Sequence, residues 1–187
     1  MQEPLGANEL RPRQPTGVER HFGEDDIIVS KTDTSGRITY ANEVFLRIAG
    51  YTEREVLGQP HSLIRHPDMP RSVFALLWET IASGSEIFAY VVNLAKSGDH
   101  YWVFAHVTPT FDPNGRIVGY HSNRRVPNPS ALRAIEPIYA ELSKIERAQS
   151  DKRSAVAAGR AHLAERLGKI GLPYDALMFH LETAKEA

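Results

Sequence analysis

Cysteine is absent from this 187-residue chain, which excludes disulfide bonds and cysteine-ligated metal sites. Long apolar runs are absent too, and none approaches the roughly 20 residues that a helix needs to cross a bilayer. The first 15 residues are polar and lack the apolar core of a secretory signal. These absences predict a cytoplasmic protein without membrane insertion, and the lack of cysteine agrees with a reducing compartment.

An excess of one charge sign is also missing. The chain carries 22 basic and 23 acidic residues, and its formal net charge is −1. Proteins that bind nucleic acid through its phosphates usually show a clear basic excess. The charge balance therefore argues against nucleic acid as the main partner.

Common catalytic signatures are missing as well. The sequence contains no G-x-S-x-G, H-E-x-x-H or P-loop motif, each of which would position a nucleophile, a metal or a phosphate. Its eight histidines are scattered rather than spaced as metal ligands. We therefore expect a binding or signalling protein rather than an enzyme, and we expect no metal site.

The first part of the chain contains signals for a hairpin and short helices. Two β-prone runs, at residues 27–30 and 37–40, flank the turn cluster TDTSG. Asn42 is placed to cap a helix that Gly50 ends. Thr52 then opens a second short helix with the capping-box pattern TERE. A longer helix is predicted over residues 71–82 from its apolar spacing.

After this helix the period of the pattern changes to that of strands. Residues 87–94, 100–110 and 116–126 are predicted strands, separated by the turn signals KSGD and DPNG. Together with the hairpin, they predict an α+β fold. Its core would be a five-stranded antiparallel sheet with short helices on one face.

The chain from residue 130 onward predicts helices almost to the end. Apolar positions recur at steps of three and four residues, at Leu132, Ile135, Ile138 and Leu142. Pro137 interrupts this seam and predicts a kink or a restart. Because such an apolar seam needs a covering surface, we expect a small helical bundle or a homodimer contact here.

The motifs TDTSGRITYAN, GYTEREVLGQPHSLIRHPDMP, GDHYWV and IEPIY resemble the cytoplasmic PAS sensor of bacterial aerotaxis receptors. The resemblance covers roughly residues 26–139, and the pair RHPDMP and GDHYW is its most specific part. It implies a PAS sensor domain at 25–127. The residue pattern on either side predicts a flexible or helical N-terminal cap at 1–24 and a C-terminal helical signalling or dimerisation tail at 128–187.

The resemblance also implies a non-covalent FAD whose redox state is the signal, in keeping with the missing cysteine that a cysteinyl-flavin photoadduct would need. Its site residues carry over onto Asn42, Arg65, His66, Asp68 and Asn93. Arg65 and His66 could bond a pyrophosphate, with Asp68 fixing either one. The two asparagines offer donors and acceptors to a flavin edge.

We add Trp78, on the long helix, to these candidate cofactor contacts, although large aromatic side chains more often belong to the core. The implied output goes to a separate partner, a chemoreceptor-like signalling protein or a histidine kinase. The expected function is thus a soluble redox or oxygen sensor of the aerotaxis type.

One segment departs from the family pattern, and two alternatives follow. The strand at 87–94 begins with Ile87 where the aerotaxis pattern has tryptophan, and Phe88 and Tyr90 add bulk. These two rings could replace the missing aromatic, or they could fill the cavity of a ligand-free dimerisation or adaptor module. The other alternative is a haem-based gas sensor with His106 or His121 as axial ligand.

Overall fold

A computed structural model of the protein describes residues 14–184. Its centre is a five-stranded antiparallel sheet with the strand order β2-β1-β5-β4-β3. The strands are β1 Ile28–Thr32, β2 Ile38–Ala41, β3 Ile87–Leu94, β4 His100–Phe111 and β5 Ile117–Arg125. The predicted α+β architecture is confirmed, and the predicted strand ends differ from these by one or two residues.

Three helices lie between β2 and β3, and three more follow the sheet. The helices are α1 Glu43–Ala49, α2 Glu53–Val56, α3 Arg71–Ala82, α4 Pro129–Arg147, α5 Lys152–Ile170 and α6 Tyr174–Thr183, with a 3-10 turn at His61–Ile64. Asn42 caps α1 through its side chain, and Gly50 closes that helix in the left-handed conformation, both as predicted. Of the residues described, no helix is both long and apolar enough to span a membrane.

The C-terminal helices fold back on the sheet and α3 of the same chain. The seam residues Ile135 and Leu142 are 2% and 0% exposed, and Leu132 and Ile138 pack against the same core. The apolar seam is therefore covered within one chain, and it no longer argues for a second copy.

Pro137 does not break α4, in contrast to the predicted kink or restart. The helix runs without interruption from Pro129 to Arg147. Pro137 lies on the exposed side of this helix, where water can bond to the carbonyl that the proline leaves unpaired.

The described part of the predicted N-terminal cap, residues 14–24, contains no helix. Residues 1–13 of that predicted region lie outside the described part of the chain. Residues 16–20 are extended and bond to the β3–β4 turn, through Thr16 N to Gly98 O (2.9 Å) and Arg20 N to His100 O (2.7 Å). The Arg20 guanidinium also pairs with Asp99 at 3.0 Å. These bonds fix the segment as an extended strap.

Candidate functional site

Strand alternation divides the sheet into two chemically different faces. On the inner face, toward α3, lie Val91, Asn93 and Ala105, and β5 adds Arg124 opposite Ala105. The outer face carries large aromatic side chains that α4 and α6 cover. The inner face borders an open cavity.

This inner cavity has a volume of about 530 Å³, within the range of about 300–1,000 Å³ that small-molecule sites occupy. The sheet forms its floor, and α3 and the 3-10 turn form its walls. Lys152 and Val156 of α5 also line it, so the C-terminal tail contributes to the cavity. The cavity supports a ligand-binding interpretation of the domain.

A buried guanidinium is the strongest polar feature of the cavity. Arg124 is 3% exposed. Its Nε donates to Ser122 Oγ at 3.1 Å, and its Nη2 lies 2.9 Å from His61 Nε2 and bonds to Ser30 Oγ. These partners are two hydroxyls and an imidazole. None of them is a carboxylate that would balance the positive charge of Arg124.

The same contacts determine the protonation state and the tautomer of His61. Burial and then the Arg124 charge lower the pKa of His61 to about 3, so the ring is neutral at pH 7. Because Arg124 can only donate, Nε2 of His61 must accept, which leaves the ring proton on Nδ1. Burial also lowers the pKa of Arg124, to about 10, and the guanidinium remains charged.

Three buried polar atoms that line this cavity have no hydrogen-bond partner in the protein: Thr32 Oγ1, Asn93 Nδ2 and Arg124 Nη1. A buried donor without a partner costs about 1–3 kcal/mol. Three such atoms on residues that line one cavity favour a polar ligand over an apolar one.

Arg65, Trp78 and Asn93, among the predicted site residues, line this cavity. The Arg65 guanidinium lies 4.3 Å from the centre of the Phe74 ring, and its Nη2 donates to Met69 O at 3.3 Å. Trp78 is 37% exposed, so it belongs to the cavity rim rather than to the core.

The position of Trp78 is set by two neighbours. Its ring meets Tyr120 edge to face at 5.5 Å. It also covers Gly36 of the β1–β2 turn, where φ is +80° and an added Cβ would lie 2.9 Å from Trp78 Cη2. The predicted hairpin turn therefore supports one wall of the site.

Asn42, His66 and Asp68 do not line the cavity. The Asn42 amide is committed to the backbone, accepting from Val29 N and Phe45 N and donating to Ile27 O. This residue joins β1 to α1, and we assign it a structural role in place of the predicted cofactor contact.

His66 and Asp68 lie beside the cavity and interact with each other. His66 Nδ1 accepts from Asp68 N at 3.1 Å, and His66 lines a second, adjoining cleft. The Asp68 carboxylate pairs with Arg147 at the end of α4. Asp68 therefore positions His66 and anchors the tail.

Phe88 and Tyr90, which were predicted either to replace the missing aromatic ring or to fill the cavity, lie on the outer face of the sheet. Phe88 stacks on His106 with a centroid distance of 4.1 Å and contacts Phe179 of α6. The Tyr90 hydroxyl donates to Glu182 at 2.8 Å. These two aromatic rings neither fill the cavity nor replace a stacking ring in it, so that expectation is corrected.

The two histidines proposed as haem ligands share this outer face. His106 pairs with Glu86 at 2.7 Å. His121 belongs to the cavity rim, but the register places its ring on the outer face with Asn123, to which Nε2 bonds at 3.0 Å. Neither imidazole faces the inner space where a haem would lie.

Sequence reasoning missed His61, Arg124 and Lys152. Arg124 sits in a strand in which alternate residues Tyr120 and Ser122 also face inward, and a charged residue at an inward position was the available signal. Lys152 carried no such signal, because only the folding back of the tail brings α5 to the cavity.

Comparison with known proteins agrees with this geometry. Residues 38–124 match the family model of the PAS fold. The light-state structure of the blue-light photoreceptor Aureochrome1 LOV superposes with a TM-score of 0.54 at 20% identity, covering 59% of this chain and 88% of that one. Residues 38–124 thus form a domain with the PAS fold and an inner cavity.

The aerotaxis receptor of Escherichia coli K12 is 42% identical over 122 residues, or 65% of this chain and 24% of that protein. The nitrogen fixation regulatory protein of Klebsiella pneumoniae is 30% identical over 53% of this chain and 20% of its own length. A blue-light-activated histidine kinase of Brucella ovis is 32% identical over 46% of this chain and 18% of its own length. This PAS domain therefore resembles those of aerotaxis sensors, and it matches less than a quarter of each of these relatives.

Proposed function

We propose that this PAS domain binds a flavin in its inner cavity, FAD in particular, and acts as a redox sensor of the aerotaxis type. The observation that carries the proposal is the set of three unpartnered polar atoms on Thr32, Asn93 and Arg124 around one cavity. A flavin ring presents carbonyl oxygens and ring nitrogens along its polar edge, which matches these donors.

A bound flavin supplies reversible electron uptake, which changes the charge and hydrogen bonding of the ring edge. The protein's part is to hold that edge. Arg124 places a buried positive charge there, which favours an electron-rich ring. Neutral His61 orients the guanidinium, and Asn93 offers an amide.

The resemblance to sensors also supports a signalling role without substrate turnover. We propose that the output passes through α4 to a separate chemoreceptor-like protein or a histidine kinase, since relatives that carry similar domains are named as such. A homodimer remains a prediction, which light scattering on the full chain would check.

The first test is the absorbance spectrum of the full chain purified under mild conditions. We expect flavin bands and the release of FAD on heating. A Soret band would instead identify a haem protein, and a colourless chain that binds no added flavin would support the ligand-free module. Either of these results contradicts the proposal.

The variant Arg124→Met should lower flavin affinity by about tenfold or more, because it removes a buried charged donor. Arg125→Met is the matched control, since Arg125 is the next residue and is exposed. Titration of the apoprotein by flavin fluorescence measures both. Equal affinities of the two variants would contradict the role given to Arg124.

A further inference from the structure

A second cleft, of about 540 Å³, adjoins the inner cavity. Four residues line both spaces: Ser62, Arg65, Arg71 and Lys152. The two spaces therefore meet along a shared wall. A ligand in the cavity and a ligand in the cleft would therefore contact the same four side chains.

The shared wall is rich in positive charge. Arg65, Arg71 and Lys152 border it, and Arg71 lies near enough to Arg65 to contribute, after burial, to lowering the Arg65 pKa. Arg147 also lines the cleft and pairs with Asp68. Within the described part of the chain, the exposed Lys152 ammonium has no bonded partner.

The carboxylates that border the cleft are engaged elsewhere. Glu146 accepts from Arg71 N at 2.7 Å, from Ser72 N at 2.9 Å and from Ser72 Oγ at 2.6 Å. Asp151 caps α5 by accepting from Arg153 N and Ser154 N. Both therefore serve helix N-termini rather than the lysine.

The tail is held firmly at this cleft. Glu146, at the end of α4, supplies the N-terminal cap that α3 lacks from its own segment. Ser143 Oγ donates to Asp68 O at 2.7 Å. At Gly159 of α5, a Cβ would lie 2.6 Å from Ser72 Oγ, so α5 packs directly on α3.

We infer that this cleft binds the phosphate groups of a flavin dinucleotide, with Lys152 of the tail and Arg71 of α3 as phosphate ligands. The inference rests on the flavin function proposed above. It makes the cofactor site a joint product of the PAS domain and the tail. Phosphate binding should therefore strengthen the docking of α5, because a ligand that bridges two elements stabilises their contact.

The test compares FAD with riboflavin, which lacks phosphate, on the full-length apoprotein. We expect tighter binding of FAD than of riboflavin. Lys152→Gln should weaken FAD binding by about three- to tenfold and riboflavin binding by clearly less, since it removes one exposed charge-assisted bond to phosphate. Arg153→Gln removes the same charge from the next residue, which lines neither space, and should change neither affinity.

A second measurement follows amide hydrogen exchange in the first turn of α5. FAD should slow this exchange, and riboflavin should not. FMN serves as a further probe: if it binds as tightly as FAD, the dinucleotide assignment is overturned. Because Lys152 is exposed, its substitution should not disturb the fold.

The outcomes separate the two proposals. If wild type binds FAD and riboflavin equally, or if Arg153→Gln weakens FAD as much as Lys152→Gln does, the cleft inference is overturned and the flavin function stands. If the apoprotein binds neither flavin, both proposals fall.

Discussion

The two faces of the sheet come from the same alternating strands and differ in how completely they are filled. On the outer face Trp102 lies against Tyr139 of α4, and Tyr90 and Phe88 contact α6. On the inner face a cavity remains, and polar atoms around it lack partners. The outer face thus stabilises the fold, and the inner face leaves space and unpaired polar atoms for the ligand that we propose.

Substitution of the two tryptophans should give the largest effect among the tests of this comparison. Trp102 is 9% exposed on the outer face, and Trp78 is 37% exposed on the cavity rim. Trp102→Ala should lower the free energy of unfolding by about 3–5 kcal/mol because it opens a hole under α4. Trp78→Ala should cost about half as much or less, since its ring is less buried. Urea denaturation of the two apoprotein variants measures both, and equal losses would break the comparison.

The pH dependence of stability tests the inner face. The folded state holds the pKa of His61 at about 3, against 6.5 for the free side chain. Between these values the unfolded chain binds more protons. The apoprotein should therefore lose stability as the pH falls from 6.5 towards 3, and His61 alone should contribute about 1.4 kcal/mol per pH unit at most.

His61→Gln should reduce this slope. The slope should not vanish, because burial also lowers the pKa of His66. The control is His21→Gln, since the His21 side chain is 82% exposed and should not affect the slope. Urea denaturation at several pH values gives the slopes, and an unchanged slope for His61→Gln would refute the buried neutral state.

The smallest expected effect concerns Asn93. Asn93→Leu removes a buried donor that has no partner and keeps the volume similar, so the stability of the apoprotein should change by less than about 1 kcal/mol or rise. Flavin affinity should fall in the same variant. A large loss of stability would show that the amide serves the fold, and the distinction between the two faces would weaken.

Local sequence features predicted much of the secondary structure and part of the site. The cap at Asn42 and the strand periods could be identified because they depend on neighbours in the chain. Arg65, Trp78 and Asn93 were placed at the cavity by resemblance and residue type. The sequence does not show that the Asn42 amide is used by backbone groups, and the structure places this residue outside the cavity lining.

The sequence by itself determined the order of helices and strands, because capping residues, turn signals and hydrophobic period act over a few residues. Only the tertiary structure decided which face of β3 meets the cavity, since shifting a strand by one residue exchanges its faces. It also decided that the tail folds back, so that Glu146 caps α3 and Lys152 reaches the site. Those contacts join residues far apart in the chain, and their partners are fixed by packing rather than by local pattern.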